Sequence, residues 1–67
     1  MGEPLQLLFD ELASQGKTWE EAIEIAAGIE YQEDQLELAE WLAKNRGASR
    51  HEMLTEKHRL MKSRLKA

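Results

Sequence analysis

His51 and Glu52 open the pattern of a zinc-peptidase helix, in which two histidines four residues apart hold the metal and the glutamate acts as general base. The fifth position of the pattern is Thr55, so the second ligand is missing and the motif fails. The other histidine, His58, lies seven residues from His51, about 10 Å along a helix. One metal ion cannot bridge that distance within a single helix. Four histidines from two chains could meet, but the plainer reading places both at the border of an apolar seam.

Carboxylates come in pairs: Asp10-Glu11, Glu20-Glu21 and Glu33-Asp34. Adjacent residues on a helix point in different directions and do not converge on one substrate. General acid–base work also needs a cleft and a matched acid and base. The chain has no cysteine, which excludes disulfides and Cys-based zinc sites. It has neither a Gly-rich phosphate loop nor a Ser-His-Asp arrangement. The expectation is a protein that is not an enzyme, with no cofactor, no metal and no small-molecule substrate.

The remaining chemistry is charge. Residues 1–43 hold eleven acids and one base, Lys17, whereas residues 44–67 hold eight bases and two acids. Such a basic tail raises the question of nucleic acid, with Arg59, Lys62, Arg64 and Lys66 as candidate phosphate contacts. A helix-turn-helix with Gly28 at its turn would make the third helix the reader. That helix presents Glu33, Asp34, Glu37 and Glu40, which a phosphate backbone repels. Only a non-specific basic tail survives as the alternative reading.

These groups must be positioned by helices. The chain of 67 residues has room for one domain, and one so small buries only about 60% of the surface its unfolded form exposes. Pro4 suits a first helical position, and Leu5, Leu8, Phe9 and Leu12 follow on one face up to Gly16. Thr18 and Glu21 form a capping box. Behind it Trp19, Ala22, Ile23, Ala26 and Ala27 make a buried stripe that stops at Gly28. The third helix, rich in Leu36, Leu38, Ala39, Trp41, Leu42 and Ala43, is expected at the centre of the core. Asn45 to Gly47 end it, and Ser49 with Glu52 caps a fourth. No alternating Val, Ile or Thr run suggests a strand. The reading is all-α: a small bundle of three to four helices at about 4–15, 18–28, 32–45 and 49–66, the fourth long, basic and amphipathic. Phe9, Trp19 and Trp41 are expected in the core.

Along the fourth helix His51, Leu54, His58, Met61 and Leu65 fall at alternating spacings of three and four, an a/d seam. Met53 and Leu60 widen it on one side. The flanks are basic, and Glu33, Glu37 and Glu40 line one edge of the third helix, so the tail is expected to pack on the acidic helices of its own subunit or of a second copy. Leu54, His58, Met61 and Leu65 are the candidate self-association seam of a homodimer. Tyr31, in a polar turn beside Glu33 and Asp34, makes an acidic-aromatic corner. Tyr31, Glu33, Glu37 and Glu40 form the candidate partner-binding face.

No apolar run approaches the ~20 residues of a membrane span, and the first residues are acidic where a secretory signal is basic. The expectation is a small acidic cytoplasmic protein without membrane contact. Function is expected to be that of a non-enzymatic protein–protein interaction module, of adaptor, inhibitor or regulator type, that self-associates. The alternatives are a nucleic-acid-associated accessory protein and a structural subunit of a larger helical assembly.

Overall fold

The computed structural model describes residues 3–65, over which the chain forms α1 (Pro4–Ser14), α2 (Trp19–Ala26), α3 (Gln32–Lys44) and α4 (Arg50–Leu65). There is no strand among the described residues. Each boundary has a local cause. Pro4 opens α1, where its absent N–H leaves nothing unpaired. The helix ends in a Schellman motif: Gly16 takes φ +81°, its N–H reaches the Ala13 carbonyl at 3.0 Å and the Lys17 N–H reaches Leu12 at 3.1 Å.

Thr18 begins α2 with the reciprocal capping box expected of it: its hydroxyl accepts from the Glu21 N–H and its own N–H donates to the Glu21 carboxylate, both at 3.2 Å. The same device opens α4, where Glu52 N–H donates to Ser49 Oγ at 3.1 Å and Ser49 N–H to Glu52 Oε1 at 3.0 Å. Gly28 stops α2 by a different mechanism from Gly16. Ala27 lies at φ −61°, ψ 135° and Gly28 at φ +84°, and the Ile29 N–H closes onto the Ala26 carbonyl at 3.3 Å. That is a type II turn, whose third position needs the left-handed region. The second helix therefore ends at Ala26, two residues before the expected stop.

Contacts join the helices in a ring, α1 to α3, α3 to α4, α4 to α2 and α2 back to α1, the α1–α3 contact being the largest. Leu8 and Leu12 of α1, Ile25 of α2, Leu38 and Leu42 of α3 and Met53 of α4 are fully buried at its centre, joined by Ala22, Ala26, Ile29, Ala39 and Leu60. The Cα radius of gyration is 11.0 Å, close to the ~11 Å of a compact chain of this length. So α4 folds back onto the others instead of projecting.

The core is narrower than the apolar pattern implies. Trp19, expected inside, is 67% exposed, and Ile23 and Leu36 lie on the surface too. Ala27 and Ala43 are also exposed. With only eight residues α2 buries one stripe, Ala22, Ile25 and Ala26, and Trp19 with Ile23 falls on its flank. On α3 the buried arc is shifted toward Asp34 and Gln35, which turns Leu36 and Ala43 outward. Phe9 and Trp41 are half-buried against the core.

Candidate functional site

The basic residues of the C-terminal third reach back to three different helices. Arg46 pairs with Glu11 of α1 at 3.1 Å, Arg50 with Glu24 of α2, and Arg64 with Glu33 and Asp34 of α3 at 3.1 and 3.0 Å. Arg59 pairs within its own helix with Glu56, whose carboxyl that hydrogen bond holds below its ordinary pKa. Lys57 is almost fully buried, and its Nζ donates to the Glu24 carbonyl at 3.0 Å. That carbonyl is one of the last four of α2, which the intrahelical ladder leaves open. Burial lowers the Lys57 pKa, opposed in part by the Glu24 carboxylate.

Arg64 organises the acidic-aromatic corner. Its Nε and Nη2 donate to both Asp34 oxygens at 3.0–3.2 Å, and Nη2 also donates to Glu33. Its guanidinium carbon stands 4.7 Å from the centroid of the Tyr31 ring, a cation–π distance. The hydrogen bonds it donates to Asp34 and Glu33 hold the arginine above its ordinary pKa. Asp34 is buried in the first turn of α3, where the helix dipole favours negative charge. Beside the corner, a pocket of about 300 Å³ lies between the α2–α3 loop, from Gly28 to Tyr31, and Met61 with Leu65. Glu37 and Glu40 line a separate shallow pocket of about 260 Å³ together with Arg59 and Glu56. The four residues of the candidate partner face thus divide between two places, and Tyr31 and Glu33 are both engaged by Arg64.

On α4 the face turned to the core is Met53, Lys57 and Leu60. Leu54 and Met61 are half-buried at its border, His51 and His58 are exposed and Leu65 is 86% exposed. The expected seam is therefore the flank of the packing face and not its centre. Of the candidate phosphate contacts, Arg59 and Arg64 hold carboxylates of their own chain, Lys62 is exposed, and Lys66 lies outside the described residues. Among the described residues no group of three or more His, Asp or Glu is placed to hold a metal ion. No helix among them is long and apolar enough to cross a membrane.

The site that the pattern of apolar residues concealed lies between α1 and α2. Trp19 stacks on Phe9 with ring centroids 5.1 Å apart and planes at 27°. With Ala13, Ala22, Asp10 and Lys17 they line a groove of about 290 Å³. Ile23, four residues beyond Trp19, extends its apolar side along the same helix face. Gln6 donates to Asp10 at 2.8 Å on the opposite wall. The signal for this face was Trp19 directly after the cap residue Thr18, at the first position of a short helix. No known family, curated protein or solved structure matches the chain.

Proposed function

We propose that the protein is a non-enzymatic protein–protein interaction module, an adaptor or regulator that meets its partner through the Phe9–Trp19 face. The observation that carries this reading is Trp19: two-thirds exposed, yet held in place by stacking on Phe9. Tryptophan dominates the energetic centres of protein interfaces, and a ring already fixed in orientation loses little entropy when it is covered. Ile23 beside it adds to the apolar surface. The acidic corner supports the reading less, because Arg64 of the same chain already occupies its hydrogen-bonding groups. Arg59 and Arg64 likewise spend their donors on carboxylates, which favours a protein partner over a phosphate backbone.

The test is site-specific photo-crosslinking from position 23 in the source cell, with and without nuclease, in the native protein and in Trp19→Ala. A single protein adduct, insensitive to nuclease and lost in Trp19→Ala, is expected. An adduct retained in that variant, or recovery of nucleic acid alone, overturns the reading.

A further inference from the structure

We infer that the groove between α1 and α2 takes the apolar face of a basic amphipathic helix from another protein; this rests on the interaction-module reading and names the partner's chemistry. Two helices with a gap between them form the usual receptor for a third, whose apolar side chains enter the gap while its polar flanks meet the rims. Here Phe9, Ala13, Trp19 and Ala22 supply the apolar floor and wall.

Charge selects the occupant. Residues 3–24 carry six acids, Glu3, Asp10, Glu11, Glu20, Glu21 and Glu24, against the single base Lys17. Arg46 and Arg50 neutralise Glu11 and Glu24, and the rest remain net negative. The groove's own lining holds one acid, Asp10, and one base, Lys17, so the excess negative charge belongs to the two helices around it, where Glu20 follows Trp19 in an exposed position. A second copy docking on this face would bring two net-negative helix pairs together, and like charges across an interface disfavour it. A nucleic acid is repelled for the same reason. A helix bearing Lys or Arg on both sides of a Leu or Phe stripe meets both requirements.

The experiment follows the two indole N–H signals of the full chain by NMR, Trp19 being assigned with Trp19→Phe. A capped amphipathic Lys/Leu peptide of about 18 residues, long enough to hold a helix, is titrated against its Glu/Leu counterpart. The expected result is a saturating shift of the Trp19 signal, and not of Trp41, with the Lys peptide only. Affinity falls several-fold between about 50 and about 300 mM salt, and Asp10→Asn with Glu20→Gln weakens binding while Glu40→Gln does not. The inference is overturned by equal binding of the two peptides, by shifts centred on Trp41, or by no shift of Trp19 at millimolar Lys peptide. Loss of peptide binding with retention of the Trp19-dependent crosslink would remove the partner class and leave the interaction module standing.

Discussion

The ammonium of Lys57 in α4 closes the C-terminal end of α2 by donating to the backbone carbonyl of Glu24 at 3.0 Å. A cation at that end also complements the helix dipole. Lys57→Met keeps the buried stem but leaves the carbonyl unpaired, and a loss of about 1–2 kcal/mol is expected in urea unfolding.

The same lysine gives a pH signature. Its folded-state pKa is lowered by burial, so in the alkaline range the unfolded chain binds more protons there than the folded one, and the Lys57 contribution to stability rises with pH. The stability difference between the native protein and Lys57→Met should therefore grow as pH climbs from neutral through the ordinary lysine range. A difference that is flat or shrinks would contradict the buried placement of the ammonium.

At the acid end the sign is the same and only the window differs. Glu21 and Glu52 are lowered chiefly by the backbone N–H groups of Thr18 and Ser49 that they accept from, and Glu56 by Arg59. Their contribution is present above the ordinary carboxylate range and is lost as pH falls through the lowered values. Glu21→Gln with Glu52→Gln should flatten the acid limb of a stability–pH curve. Thr18→Ala and Ser49→Ala should each cost about 1 kcal/mol near neutrality.

Arg64 and Asp34 give a graded series. Arg64→Ala leaves a buried carboxylate without its partner, the costly way to break an ion pair. Arg64→Lys keeps the charge but loses the fork and the stacking on Tyr31. Melting temperature should fall in the order native, Lys, Ala, with faster amide exchange confined first to the last turn of α4. An equal effect of the two substitutions would mean that charge alone matters.

Gly28→Ala should cost about 1–2 kcal/mol, because φ +84° is strained for any L side chain. The added Cβ would also lie 3.3 Å from Met61 Cε, but a methionine end yields easily. Met61→Ala should therefore not rescue Gly28→Ala in a double-mutant cycle. Trp19→Ala, by contrast, should cost about 1–3 kcal/mol, the stacking contribution with Phe9 together with the covered third of the ring, and leaves the fully buried core untouched.

The four helices were legible because their ends carry local chemistry: Pro4, two capping boxes and three glycines speak for themselves without tertiary context. Which face each helix buries was less legible. On α4 two stripes compete, Met53 with Leu60 and Leu54 with Met61, one position apart. Periodicity ranks them by apolar content and so misses Lys57, which sits between Met53 and Leu60 and goes inside because a carbonyl of α2 awaits it. Nothing local marks Asp34 as buried for the same reason: its partner, Arg64, lies 30 residues further along the chain. Trp19 was read as core because hydrophobicity alone does not say that α2 is too short to cover it.

Viewed as polyelectrolyte chemistry, α4 is a counterion tied to the polyanion it neutralises. Free counterions leave on dilution, but the short turn after α3 holds this one at an effective concentration on the order of millimolar or more. Added salt competes with Arg46, Arg50 and Arg64 for their carboxylates, yet it does nothing to expel Met53 and Leu60 from the core. The charge sorting along the chain thus sets which surfaces meet, while the tether and the apolar contact keep them together after the charges are screened.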